Sequence, residues 1–156
     1  MSLIPVFNIA AIGKTLSAFT DSKKRQGVEA MIYAGELFVN LAREHGMYTD
    51  RTGNLRNSIG YAIAENGRVS KFALETRSYQ NADAESVKGG EEARSAARNV
   101  AEEVARENPI GHILIGFAGM EYAAAVESRG YDVISGYMPE VEAALKEALR
   151  AAGFNV

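Results

Sequence analysis

Cysteine is absent from the 156 residues of this sequence. Disulfides, thiol catalysis and zinc sites of the cysteine type are therefore excluded, and the composition fits a reducing compartment. The sequence also lacks an excess of positive charge, because 17 Lys and Arg residues against 20 Asp and Glu residues give a formal net charge of −3. A broad electrostatic surface for nucleic acid is not expected from this balance, so we predict no sequence-specific nucleic-acid partner.

Long hydrophobic runs are also missing. No apolar run approaches the roughly 20 residues that a membrane span needs. The N-terminal stretch MSLIPVFNIAAIGK has no basic region of the signal-peptide kind and is interrupted by Pro5 and Gly13. We therefore expect no membrane partner and a protein that is cytoplasmic when made. The length and the content of 47% hydrophobic residues fit one globular domain over residues 1–156.

Helical spacing of apolar residues dominates the first third of the chain. Residues 7–19 predict a short packed helix, and the polar run at 20–22 predicts the cap of a second, longer helix that ends at Gly46. Gly35 lies on the apolar stripe of this second helix, where a missing side chain would let a neighbouring element approach closely. The apolar positions of the short helix are Ile9, Ile12, Leu16 and Phe19, and those of the long helix include Val28, Met31, Ile32, Phe38, Val39 and Ala42.

A β-hairpin is predicted over residues 55–76. Asn66-Gly67 stands between two β-prone runs, and this dipeptide is the strongest short-range hairpin signal. A two-residue turn there would place Glu65 opposite Arg68, Tyr61 opposite Phe72 and Ile59 opposite Leu74. Before the hairpin, the turn residues of TDRTG (49–53) predict a corner between helix and strand.

The second half of the chain predicts a helix, a strand and a final helix. The segment 78–110 is interpreted as an insertion that carries a helix near 91–107, with Glu102 and Arg106 placed for an i,i+4 ion pair. Its apolar stripe, Ala93, Ala97, Val100 and Val104, is thin, so the helix is expected either to be loosely attached or to be buried against a partner subunit. HILIGFA predicts a strand over 112–118, and residues 136–152 predict a C-terminal amphipathic helix.

These elements define an α+β fold. A small antiparallel sheet, formed by the hairpin 55–76 and the strand 112–118, would be packed by a long N-terminal helix and a C-terminal helix, with the inserted helix near 91–107.

No pattern of residues in the sequence demands catalysis. Gly13-Lys14-Thr15 resembles the end of a phosphate-binding loop, but Asn8 occupies the position of its required first glycine. Neither His45 nor His112 has a second ligand at metal-binding spacing. We therefore predict no catalytic, cofactor-binding or metal-binding residues.

Two groups of charged residues could still form a functional site. Four carboxylates could form an acid/base pair, because such pairs are assembled in space and leave no trace in the sequence. Three arginines around the corner and the hairpin could suit a phosphate, although arginines on an exposed sheet often serve only solubility. The carboxylates are Asp50, Glu121, Glu127 and Asp132, and the arginines are Arg51, Arg56 and Arg68.

Two short motifs resemble a known family. TDRTGNLRNSI (49–59) after a long helix, and YAAAVESRG (122–130) before a C-terminal helix, are similar to segments of the tail-completion or head–tail joining (neck) proteins of long-tailed bacteriophages. This sequence departs from the family pattern by an inserted Arg51, by the lack of a proline before the first motif, and by a late glycine at Gly130. The matching residues are Thr52, Gly53, Leu55, Arg56, Ser58 and Ile59 in the first motif, and Tyr122, Ala123, Val126 and Glu127 in the second.

The resemblance implies a structural role in virion assembly without catalysis. A ring-forming homo-oligomer, such as a hexamer, would contact tail-tube and head-connector proteins of the phage. It would be found in the bacterial host cytoplasm during assembly and then at the virion neck or tail terminus. The repeated presence of Arg56 and Glu127 in the family pattern suggests a charge-assisted bond between the two motifs. The alternatives are a non-phage bacterial interaction or regulatory module, and a small enzyme that uses the three arginines with a carboxylate.

Overall fold

Three antiparallel strands form the centre of the protein, in the order β2-β1-β3. The computed structural model describes residues 9–46, 54–74, 84–119, 123, 128–130 and 133–156. The predicted α+β fold is confirmed, and strand 112–118 lies where the sequence predicts it. The elements are α1 (Ile9–Glu44), α2 (Asn54–Asn57), β1 (Ile59–Glu65), β2 (Arg68–Ala73), α3 (Ala84–Glu107), β3 (His112–Ala118), a 3-10 helix (Ser135–Tyr137) and α4 (Met138–Ala151).

The central strand β1 is buried on both faces. Because successive side chains of a strand point to opposite faces, Tyr61 and Ile63 contribute to one hydrophobic cluster and Ala62 and Ala64 to another. The first cluster includes residues of α1 and α4, whereas the second includes residues of α3. The sheet is therefore covered by helices on both sides.

The hairpin forms at the predicted turn but with a different register. Asn66 and Gly67 have φ values of 48° and 82°, as a type I′ turn requires, and Glu65 pairs with Arg68. A bulge then follows, in which Ser70 is the extra residue and its hydroxyl donates to the carbonyl of Ile63 at 3.1 Å.

The bulge makes two predicted strand pairs wrong. Tyr61 pairs with Ala73, and Phe72 pairs with Ala62. Phe72 thus lies on the α3 side of the sheet, where its ring stacks on Phe117 with centroids 5.0 Å apart. The prediction that Ile59 faces Leu74 is wrong for the same reason, because the two side chains belong to clusters on opposite faces.

Helix α1 is one continuous helix of 36 residues, about 54 Å long at 1.5 Å per residue. The predicted boundary at 20–22 is therefore wrong. The hydroxyl of Thr20 donates to the carbonyl of Leu16 at 2.9 Å, so this side chain bonds within the helix and caps nothing. No residue that breaks helices occurs at 20–22, and the polar run is accommodated on an exposed stretch.

The second half of α1 packs closely on the sheet, as the sequence predicts for Gly35. A methyl group at Gly35 would overlap the ring of Tyr61, which occupies the space left by the missing side chain. Gly116 of β3 leaves space for the Phe38 ring in the same way, since a Cβ atom at Gly116 would lie 2.8 Å from the nearest ring carbon of Phe38. Phe38 and Tyr61 are thus both buried between the helix and the sheet.

Helix α3 is packed on the opposite face of the sheet by alanines. The buried stripe consists of Ala93, Ala97, Ala101 and Ala105 at steps of four, while Val100 of the predicted stripe is exposed. The backbone approaches so closely that a methyl group at Gly119 would overlap the carbonyl oxygen of Ala93. The expectation of a loosely attached or partner-buried helix is therefore wrong, because small side chains allow close contact with the chain's own sheet.

The C-terminal helix α4 lies along α1. Val141 is buried in the same cluster as Phe38, and the Lys23 ammonium donates to the carbonyl of Ala152 at 2.6 Å. Phe154 lies against Gly27 of α1. None of the helices in the described ranges is long and apolar enough to cross a membrane.

Candidate functional site

The described part of the first family-like motif, residues 54–59, forms α2 and the buried start of β1, and is here called the corner. Leu55, Ser58 and Ile59 are all buried, and Arg56 is half-buried. The Ser58 hydroxyl donates to the carbonyl of Leu55 at 2.7 Å, and the amide of Gly119 donates to the carbonyl of Ser58 at 2.9 Å. The motif therefore fixes where β1 begins and where β3 ends.

Arg43 contributes a buried charge to this corner. Its side chain is only 3% exposed, and its guanidinium donates to the carbonyl of Ile59 at 2.8 Å. The arginine thus ties the last turn of α1 to the first residue of β1. Sequence reasoning missed this role, because an arginine in the last turn of a helix is common as a simple partner of the helix dipole.

The second family-like motif (122–130) is described at Ala123, which is buried in the α1-side cluster, and at residues 128–130, which form an exposed turn with a positive φ at Gly130. The other residues predicted to matter in the two motifs lie outside the described residues: Thr52, Gly53, Tyr122, Val126 and Glu127. The bond proposed between Arg56 and Glu127 therefore stays a prediction. The four candidate acid/base carboxylates, Asp50, Glu121, Glu127 and Asp132, also lie outside them.

The structure does not bring Arg56 and Arg68 together. Arg56 precedes β1 and Arg68 follows it, so the two residues lie at opposite ends of a seven-residue strand, a separation of about 20 Å at 3.3 Å per residue. Arg51, the third member of the predicted group, lies outside the described residues. Arg56 and Arg68 therefore do not form the cluster suggested for the corner and the hairpin, because Arg68 lies at the hairpin tip beside α3.

Charged groups near the tip of the hairpin form an exposed network. The Glu65 carboxylate lies 3.7 Å from the Lys24 ammonium and 3.5 Å from His112 Nε2. Within the described ranges, no group of three or more histidine, aspartate or glutamate side chains could hold a metal ion. On α4, the hydrogen bond from Lys146, at 2.6 Å, lowers the pKa of the exposed Glu142 carboxyl.

The first half of α1 leaves the packed body. All residues from Gly13 to Asp21 are exposed, and they include Leu16 at 61% and Phe19 at 62%. Large apolar side chains that are exposed together are typical of surfaces that bind other proteins. The prediction that residues 7–19 form a packed helix is therefore wrong for residues 13–19, and the burial of residues 7–12 lies outside what the structure describes.

Comparisons with known proteins identify no relative of this chain. No family model matches the chain, and neither a curated protein nor a solved structure is detectably similar to it. Function is therefore inferred from the geometry of the molecule and from the two motifs. The geometry consists of a buried corner that fixes the fold and of an exposed apolar helix segment that is suited to binding.

Proposed function

We propose that the chain is a structural protein of virion assembly, which acts in tail completion or head–tail joining of a long-tailed phage or prophage. It would act as a ring-forming subunit and carry out no catalysis. The motif residues Leu55, Arg56, Ser58 and Ile59 support this proposal, since they form a structural corner without exposed reactive groups. The order of a long helix, a hairpin, a strand and a final helix agrees with the family that the motifs resemble.

The exposed first half of α1, here called the α1 arm (Gly13–Asp21), carries the assembly part of the proposal. Leu16 and Phe19 are three positions apart, so both side chains lie on one side of the helix. Burying two such side chains on a partner contributes about 1.5–3 kcal/mol each before the costs of association. The α1 arm could therefore stabilise an oligomer by burying these two side chains on a neighbouring subunit.

A ring requires a contact between different surfaces of neighbouring subunits. The α1 arm lies beyond the point where Lys23 bonds to the end of α4, so it projects from the body at one place. An arm that docks on another surface of the next subunit makes a heterologous contact, which closes into a ring when the rotation per subunit permits it. Tail-tube and head-connector proteins would be the other partners, at the virion neck or tail terminus.

The first test of this function is genetic. The DNA on both sides of the gene should encode virion proteins such as a portal, a capsid protein or a tape-measure protein. Deletion of the gene should then leave filled heads and finished tails that do not join, as seen by electron microscopy of lysates. Metabolic or regulatory neighbours without virion genes would instead favour the non-phage interaction module, which could use the same arm.

A variant of the arm tests the mechanism separately from the genetics. The double substitution Leu16→Gln and Phe19→Gln should abolish complementation of the deletion while leaving the unfolding midpoint nearly unchanged, because both side chains are exposed. The matched control is Val100→Gln with Ile110→Gln, which removes two exposed apolar side chains elsewhere. Full complementation by the arm variant would contradict the assigned role of the arm.

A further inference from the structure

A groove with several arginines lies between the hairpin and α3. It has a volume of about 410 Å³ and is lined by Gly67, Arg68 and Val69 from the hairpin and by Arg98, Glu102 and Arg106 from α3. The groove is on the side of the sheet that α3 covers, whereas α1 packs on the other side. We call it the arginine groove. It is a different surface from the α1 arm.

The positive charges of the arginine groove exceed its negative charge. The predicted ion pair between Glu102 and Arg106 is wrong, because the Glu102 carboxylate pairs with Arg98 instead, at 3.4 Å. Among the described residues, neither Arg68 nor Arg106 has an ion pair or a side-chain hydrogen bond. Three guanidinium groups thus face one carboxylate, in a protein whose formal net charge is −3.

Contacts with neighbouring residues position the two sides of the arginine groove. The Arg98 guanidinium lies 5.5 Å from the centre of the Phe72 ring. The Phe72 ring is itself positioned by stacking on Phe117. At the other side, the positive φ values of Asn66 and Gly67 fix the turn that precedes Arg68. The side chain of Asn66 also accepts a hydrogen bond from the amide of Gly111 at 3.0 Å, which holds the turn to the start of β3.

We propose that the arginine groove binds an acidic peptide segment of a partner protein. Planar guanidinium groups pair with carboxylates through two parallel hydrogen bonds, and such charge-assisted bonds are among the strongest in proteins. Arg98 and Arg106 are eight residues apart on α3, about 12 Å along the helix. In an extended peptide, carboxylates four residues apart are separated by about 13 Å, so one short segment can reach both arginines.

The charges around the arginine groove favour a short acidic peptide over a nucleic acid. Glu103 and Glu107 are exposed on α3 and follow the groove residues Glu102 and Arg106 in the sequence, so they would repel a phosphate backbone that continues past the groove. The overall negative charge of the protein acts in the same direction. A short acidic peptide can end where the groove ends, so it avoids this repulsion.

The test uses a fluorescently labelled oligoglutamate peptide, with an oligoglutamine peptide as the uncharged control and an oligothymidylate of similar charge as the rival ligand. Fluorescence anisotropy at low ionic strength should show saturable binding of oligoglutamate and none of oligoglutamine. Raising the salt concentration should weaken the binding steeply, because exposed charge pairs are screened over about 8 Å at physiological ionic strength.

Three variants separate the arginine groove from general charge effects. Arg68→Gln with Arg106→Gln should weaken oligoglutamate binding by roughly tenfold or more, since two charge-assisted bonds are lost. Glu102→Gln should strengthen binding, because it removes the carboxylate that competes for Arg98. Arg25→Gln is the matched control, since it removes an exposed arginine of α1 on the other side of the sheet, and it should leave binding nearly unchanged.

Three results would overturn the proposal. The first is the absence of oligoglutamate binding, and the second is binding that the Arg68 and Arg106 substitutions leave unchanged. The third is tighter binding of oligothymidylate that the same substitutions abolish, which would make the groove a site for a phosphate backbone. All the substituted side chains lie on the surface, so each variant should unfold at the same temperature as the parent protein, and circular dichroism checks this.

Discussion

The two halves of α1 belong to one helix but have opposite environments. The second half contains Ala34, Phe38 and Ala42, which are at most 1% exposed. The first half contains the α1 arm, where every residue from Gly13 to Asp21 is exposed. Both halves carry apolar side chains at helical spacing, and the sequence predicts that both are packed. Only one of them is covered by the rest of the described chain.

The difference shows what helical periodicity does and does not determine. The spacing identifies the side of a helix that can be buried, and this holds for both halves. Whether it is buried depends on how far the other elements extend along the helix. Here the end of α4 reaches Lys23 and Phe154 reaches Gly27, so coverage stops there. The arm keeps an apolar side that a partner can use.

The largest expected effect contrasts two phenylalanines of the same helix. Phe38→Ala should lower the free energy of unfolding by about 3–5 kcal/mol, because it empties a buried site between α1 and Gly116. Phe19→Ala should change it by no more than about 0.5 kcal/mol, since the ring is 62% exposed. Urea unfolding followed by circular dichroism measures both. A loss for Phe19→Ala as large as that for Phe38→Ala would mean that the arm packs within the chain.

A single methyl group in the buried half should have the next largest effect. Gly35→Ala improves helix propensity by about 1 kcal/mol, but its methyl group overlaps the Tyr61 ring. We expect a net loss of about 1–3 kcal/mol, which is the usual cost of overpacking.

A double-mutant cycle assigns the cause of this loss. With Tyr61→Leu as the background, the overlap is relieved and the cost of Gly35→Ala should become smaller. Because the Tyr61 hydroxyl also donates to Glu36 at 2.8 Å, the Tyr61→Leu variant must be measured alone as the reference. An unchanged cost in both backgrounds would mean that the ring is not the obstacle.

Local signals in the sequence predicted much of the fold. The Asn66-Gly67 turn, the strand 112–118 and the close approach at Gly35 all depend on residues next to one another or on one helix stripe. Interactions across the fold were missed. The bulge at Ser70 moves Phe72 to the other side of the sheet. The alanine stripe of α3 becomes visible only when the sheet it packs on is known.

The candidate sites were less predictable than the fold. The turn residues from which the corner was predicted, 49–53, lie outside the described residues, and the buried bond from Arg43 to Ile59 joins positions 16 residues apart and leaves no local pattern. The three arginines were grouped because they are close in sequence, and closeness in sequence does not place Arg56 and Arg68 close in space. Arg68 lies at the far end of β1 from Arg56 and lines the same groove as Arg98 and Arg106 of α3.

The smallest effect is expected for a glycine-to-alanine substitution in the exposed half of α1. Gly13→Ala adds a methyl group that has nothing from other parts of the described chain within 4 Å. The helix propensity gained is about 1 kcal/mol, but the global free energy of unfolding should rise by less, because an uncovered helix end can fray without unfolding the protein. Hydrogen exchange of the arm amides is the direct measurement, and it should become slower.

The sign of the Gly13→Ala effect distinguishes a free arm from an occupied one. Slower exchange at every protein concentration means that the added methyl group meets only solvent, so the same substitution has opposite effects at Gly13 and Gly35. Faster exchange that appears only at high concentration means that a second molecule packs closely against Gly13. In that case the arm of one subunit is already bound by another, and Leu16→Gln with Phe19→Gln should remove the concentration dependence.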